Sequence, residues 1–160
     1  MNTFNSLHQM AHRLQQHGSL GRKVAIAIRN LNQIVHGGYI GCAAQIDPSV
    51  KFIHNGLGVV IHETCIVGAK TSIFQQVTLG VKDVREGHAG SRGGVAPKIG
   101  ENVTICAGAK VLGEVTIGDG AVIGANAVVL SDVPANALAV GVPAKIKIPR
   151  GHVLEVDLNE

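Results

Sequence analysis

The stretch IGENVTICAGAKVLGEVTIGDGAVIGANAVV, residues 99–129, carries one spacing from end to end. Ile99, Ile105, Val111, Ile117, Ile123 and Val129 fall at every sixth position, and the residue two before each is small or slim: Pro97, Val103, Ala109, Val115, Ala121, Ala127. Six is neither the strand period nor the helix period. A fixed short repeat of this kind marks a parallel β-helix, in which each hexad forms one flat side of a coil and buries its apolar face only by stacking on its neighbours. A chance alignment of amphipathic strands would not give six successive hits with a second register of small residues beside them.

The same spacing extends upstream. Ile40, Ile46 and Phe52 open it, with Gly38, Ala44 and Val50 two before; Ile61, Val67, Ile73 and Leu79 continue it, with Val59, Cys65, Thr71 and Val77 two before. Between the two blocks, His54-Asn55-Gly56-Leu57-Gly58 holds about three residues more than a clean hexad. Its glycines allow a bulge, and its polar pair can stand out of the coil. A second interruption, Val81 to Val95, is polar and rich in glycine, and the coil resumes in phase beyond it. It reads as a loop thrown out from a corner, and long loops in compact domains are usually functional or disordered. Arg85, His88 and Arg92 are its reactive candidates.

Past Val129 the repeat decays through Leu130–Asn136 and Ala139–Ile146 into a terminal cap, which a solenoid needs over its last coil. Residues 1–36 read as two helices. Leu7, Met10, Ala11 and Leu14 form one apolar stripe, residues 17–21 break it, and Val24, Ile26, Ala27, Ile28, Leu31, Ile34 and Val35 form the second. The expected organisation is a helical segment at 1–36, a β-helix at 37–147 with a loop at 81–95, and a polar tail at 148–160.

Composition fits a narrow coil: 160 residues make one domain, with 21 glycines, three phenylalanines, one tyrosine and no tryptophan. The net charge of +3 comes from scattered basic residues, which leaves no nucleic-acid footprint. Cys42, Cys65 and Cys106 are an odd number without C-x-x-C spacing, so neither a disulfide framework nor a zinc site is expected, and a reducing cytoplasm is the default. No apolar run approaches the roughly 18 residues of a membrane span, and the start lacks a signal-peptide pattern, so no membrane partner is expected.

Gly58 to Gly80 (GVVIHETCIVGAKTSIFQQVTLG), Pro97-Lys98-Ile99-Gly100, Ala107 to Gly113 (AGAKVLG) and Ala139 to Lys145 (AVGVPAK) resemble the serine acetyltransferase branch of the hexapeptide-repeat acyltransferases. The similarity covers roughly residues 22 to 147. It implies a mainly β chain folded as a left-handed parallel β-helix with three hexads per coil, assembled as a homotrimer with acetyl-CoA at a subunit boundary. The implied chemistry is acetyl transfer from a thioester to an alcohol, with a neutral imidazole taking the proton of a hydroxyl that is otherwise a weak nucleophile.

Counted back without a gap from Gly58, the family's catalytic histidine falls on Asn55, and His54 takes the place of the acidic residue before it. One inserted residue in the bulge restores His54 as the base, because an asparagine cannot serve; His62 is the alternative. The family's Arg-His pair before Pro-Lys-Ile, which contacts an amino-acid acceptor, is replaced by Val95 and Ala96. That weakens the case for serine against a sugar hydroxyl, unless His88 or Arg92 reaches in from the loop to bind the acceptor. For the donor, the resemblance points to the backbone of Ala107-Gly108 and Gly124-Ala125 beside the pantetheine arm, with Lys145 on the 3′-phosphate; no metal is implied. Two readings follow: an acetyl-CoA-dependent O-acetyltransferase acting on serine or a sugar, or a catalytically silent β-helix used as a structural module.

Overall fold

The computed structural model describes residues 3–82 and 95–147. Arg85, His88 and Arg92 lie outside the described residues, as does the tail from 148. Two helices lead in, α1 Thr3–Leu14 and α2 Gly18–His36. From Tyr39 the chain winds as a three-sided prism. Face A stacks β1 (Tyr39–Ile40), β4 (Val60–Ile61), β7 (Thr78–Gly80), β10 (Lys110–Leu112) and β13 (Val128–Val129). Face B stacks β2 (Gln45–Ile46), β5 (Ile66–Val67), β8 (Lys98–Ile99) and β11 (Thr116–Ile117), and face C stacks β3 (Lys51–Phe52), β6 (Ser72–Ile73), β9 (Thr104–Ile105), β12 (Val122–Ile123) and β14 (Leu138–Val140). These neighbours pair in parallel, while β15 (Lys145–Lys147) lies antiparallel on β14 and ends the stack.

The period of six is the length of one face plus one corner. In most strands the second residue points inward, and successive coils place like on like: Ile61 over Ile40, Leu79 over Ile61, Val111 over Leu79, Val129 over Val111. Ile105, Val111, Ile117 and Ile123 are fully buried, and so are Ala109, Ala121 and Ala127 at the corners, where the prism has no room for a longer chain. The extra residues at 53–58 leave the register intact, since Phe52 still pairs with Ile73 and Ile61 with Leu79. The excursion after Gly80 also leaves it intact, because Ile99 returns onto Val67.

The lowest coil has no coil beneath it, so its carbonyl groups need other partners. Helix α1 and Gln15, the residue that follows it, supply them with side chains. Asn5 Nδ2 donates to the Val50 carbonyl at 3.1 Å, Gln9 Nε2 to Ile46 at 2.6 Å and Gln15 Nε2 to Cys42 at 2.7 Å, while His8 Nε2 lies 3.1 Å from the Ala44 carbonyl. This corrects the expected apolar stripe on α1. The buried face is Phe4, Asn5, His8 and Ala11; Ala11 is inside as expected, but Met10 is 47% exposed, because hydrogen-bond capping draws Asn5 and His8 inward beside the apolar residues. Helix α2 starts at Gly18, inside the expected break, and buries only Gly21, Ala25 and Asn32, so Leu20, Leu31 and Ile34 remain exposed.

Burial pushes the pKa of His8 down to about 4; the Ala44 carbonyl opposes the shift and His12 adds to it. The folded state therefore holds His8 neutral where the unfolded chain would protonate it. Stability from this group is complete above about pH 6.5 and is lost as pH falls from there to about 4, by on the order of 3 kcal/mol. Denaturant titrations at pH 7 and pH 4.5 should show the loss, and His8→Gln, which keeps a donor but cannot titrate, should flatten it. Equal pH slopes in the two proteins would refute the account.

Candidate active site

Three edges separate the faces, and most of the residues expected to carry chemistry fall on one of them. On the edge between faces C and A stand the 53–58 bulge in the first coil, Gln75 and Gln76 in the second, Ala107-Gly108 in the third, Gly124-Ala125 in the fourth and Gly141–Ala144 in the last. Backbone bonds tie them in a column: Gln76 N–H donates to the Leu57 carbonyl, Gly108 to Gln75, Asn126 to Ala107 and Val128 to Gly141. Lys145 follows at the top of the same edge, paired opposite Val140. At about 4.8 Å per coil the column runs roughly 20 Å from His54 to Gly141, with Lys145 one strand further.

The bulge is shaped by backbone conformation. His54 and Asn55 are both left-handed, with φ of 52° and 54°, and Gly56 and Gly58 follow with φ of 72° and 67°. Two consecutive left-handed residues other than glycine are costly, so their surroundings must hold them. The Phe4 ring does this from below. It packs edge-on against Phe52, with ring centroids 4.9 Å apart, and occupies the space where a side chain on Gly56 would go. Gly56 is buried as a result, and His54 and Asn55 are turned out to solvent.

His62 stands elsewhere. It follows β4 at the A–B edge, a full face away from His54, so one chain does not bring the two histidines together. The Thr64 backbone N–H donates to His62 Nδ1 at 3.3 Å, and the Thr64 hydroxyl lies 3.0 Å from the same nitrogen. The Thr64 N–H can only donate, so this contact is satisfied in the tautomer that leaves Nδ1 bare and carries the ring proton on Nε2. That tautomer presents a donor where a general base needs a bare nitrogen. The same threonine receives the Ala96 N–H at 3.1 Å, which ties this corner to the point where the long excursion returns. Ala96 is buried and Val95 is 45% exposed.

The donor-side residues divide by cause. A side chain on Gly108 would meet the Asn126 amide at a φ of 72° that favours glycine, and one on Gly124 would come within 2.7 Å of Val140, so local structure accounts for both glycines. Ala107, half-buried, and Ala125, exposed, carry only methyl groups and leave the edge free of bulk. Lys110 Nζ donates at 2.8 Å to both the Gln76 and Gly108 carbonyls, clasping two coils at the edge. Gln75 was not expected from the sequence, although counting two residues on from each inward residue of face C gives His54, Gln75, Ala107 and Ala125 in one register. A groove between α1 and face B, lined by Gln9, His12, Gln45, Asp47 and Glu101, contains none of the candidate residues.

A prism with a bulged polar edge and a row of small residues above it defines a transferase of the hexapeptide β-helix class. Comparison with known proteins agrees: the family model for the bacterial transferase hexapeptide (six repeats) matches residues 96–131. The serine acetyltransferase of Bacillus licheniformis is 39% identical over 98% of this chain and 71% of its own length. Soybean serine acetyltransferase complexed with serine aligns with a TM-score of 0.78 at 40% identity, over 88% of this chain and 54% of that one. A serine acetyltransferase in complex with CoA aligns with a TM-score of 0.76 at 36% identity, over 88% and 54%. The chain belongs to the serine acetyltransferase family, and its fold is the left-handed β-helix of that family. It spans about half the length of the solved structures it matches.

The tautomer of His62 is directly measurable. Long-range ¹⁵N–¹H correlation spectra of the imidazoles at neutral pH should show Nδ1 of His62 bare and Nε2 protonated. A proton on Nδ1 would return His62 to candidacy as the base.

Proposed function

We propose that the chain is an acetyl-CoA-dependent O-acetyltransferase in which His54 is the general base. The observation that carries this is the C–A edge, where an exposed imidazole stands at the foot of a column of small residues with a lysine at its head. An elongated thioester fits that column, with Lys145 near the 3′-phosphate, Ala107 and Ala125 beside the arm, and the acetyl group by the bulge. His54 takes the proton as the acceptor oxygen attacks the thioester carbonyl carbon. The carbon–sulfur bond then breaks and the leaving thiolate recovers the proton, giving an acetyl ester and CoA. Asn55 next to it offers an amide that can orient the acceptor but cannot take a proton.

Serine is the acceptor that the relatives' names support. A specific observation favours a sugar hydroxyl as the second reading: at the corner where the loop returns, Val95 and Ala96 carry no group for a carboxylate, and the Ala96 N–H is already bonded to Thr64. The proposed assembly is a homotrimer. A prism edge is convex in one chain and becomes a cleft only when a second copy lies against it, and cyclic closure is the usual outcome for identical subunits. In this reading residues 37–147 form the catalytic unit, residues 1–36 its lead-in and residues 148–160 its tail, and the enzyme works in the cytoplasm, where Cys42, Cys65 and Cys106 remain free thiols. Among the described residues no helix is long and apolar enough to cross a membrane.

Thiol release from acetyl-CoA in the presence of L-serine and a panel of sugars tests the activity, and no release with any acceptor would end the enzymatic reading. His54→Ala should lower kcat by roughly 10²- to 10⁴-fold with little change in CoA affinity. Lys145→Ala should weaken CoA but not dephospho-CoA; equal losses for both would remove Lys145 from the phosphate.

A further inference from the structure

The bulge makes two demands on its sequence, and together they set down a reactive pair. Asn55 sits at φ 54° and ψ 29°, a left-handed conformation that asparagine takes more readily than most residues. Gly56 is buried beside it, and a side chain there would run into the Phe4 ring, so the position admits glycine alone. The result is the one asparagine–glycine pair in the chain. Asparagine is among the thermolabile residues, and a following glycine has no side chain to shield the backbone nitrogen that attacks its amide. The Asn55 side chain is turned out to solvent, where water has free access to it.

We propose that Asn55 is a self-modification site, converted to aspartate or isoaspartate through a cyclic imide whenever the bulge opens, and that Phe4 keeps it closed. In the first step the Gly56 backbone nitrogen attacks Asn55 Cγ, and ammonia leaves with the proton from that nitrogen. Water then opens the imide. Addition at Cγ gives aspartate, addition at the main-chain carbonyl carbon gives isoaspartate, and either way the proton returns to the Gly56 nitrogen. Ring closure needs Asn55 Cβ and the Gly56 nitrogen on the same side of the Cα–C bond, but at ψ 29° an L-residue holds them nearly opposite each other. Turning that bond would break the Leu57 N–H bond to the His54 carbonyl at 3.2 Å and the Val59 N–H bond to the Gly56 carbonyl at 3.0 Å, and would lift Gly56 off the Phe4 ring. The rate in the folded protein is therefore the open-chain rate multiplied by the fraction of time the bulge is open. Both products put a carboxylate beside His54 in place of a neutral amide, and isoaspartate also lengthens the backbone of the bulge. Nothing in this chemistry depends on the acetyl-transfer reading, since it needs only the bulge and water.

Peptide mapping by mass spectrometry tests this on the full chain, held at mildly alkaline pH either folded or unfolded in guanidinium chloride. The unfolded chain should accumulate aspartate and isoaspartate at Asn55 steadily, and the folded chain at least about tenfold more slowly. Phe4→Ala removes the ring that holds Gly56 and should raise the folded rate by about tenfold or more, with Phe4→Leu as the milder variant if the alanine protein does not fold. Ile123→Val loosens the stack high above the bulge and should leave the rate at Asn55 unchanged. Equal rates in the folded and unfolded wild type overturn the proposal, and so does an unfolded chain that keeps its Asn55 amide. A folded Phe4 variant that converts at the wild-type rate, or an Ile123→Val protein that converts as fast as the Phe4 variant, overturns it as well. The wild-type comparison decides the matter even if neither Phe4 variant folds.

Discussion

The described strands of this molecule are two or three residues long, too short to hold any shape alone. What holds them is the ladder between coils, in which each backbone N–H finds a carbonyl one coil away. Examples are Gly41 to Ile61 at 2.9 Å, His62 to Leu79 at 2.9 Å and Lys110 to Ala127 at 2.8 Å. Because pairing is vertical, a coil is stable only between two others, and the ends become the hard part of the design. Helix α1 answers this at the base with amide and imidazole side chains aimed at the open carbonyls, and β15 answers it at the top by turning back on β14.

The same geometry builds the candidate site. Vertical stacking brings residues far apart in sequence into one column, so His54, Gln75, Ala107 and Ala125 are neighbours along an edge. Phe4 of the capping helix supports the lowest of them. The cap and the site are therefore mechanically joined: the ring that closes the apolar bottom of the prism also holds Gly56 under the two strained residues of the bulge.

Much of this was legible in the sequence, because hexad phase is a property of residue order. The inward column from Ile99 to Val129 and the two interruptions could all be read by counting. The buried face of α1 could not be read this way. Asn5 and His8 are inside because they cap carbonyls, and hydropathy assigns them to solvent. His54 and His62 looked interchangeable in the chain, being eight residues apart, but the corner between them sends one to each end of face A. Gln75 was hidden for another reason. Its phase marked it as an edge residue, yet only coordinates reveal that its oxygen is buried and unpaired.

The excursion after Gly80 leaves and rejoins the prism without shifting a single stacked pair: Leu79 lies against Val111, and Val67 against Ile99. Length at a corner is thus free of the lattice of contacts that gives the protein its stability. A solenoid of this kind separates two problems that most enzymes must solve with the same residues. Natural variation can lengthen, shorten or rewrite the segment between Gly80 and Ala96 while the stack of coils is inherited unchanged.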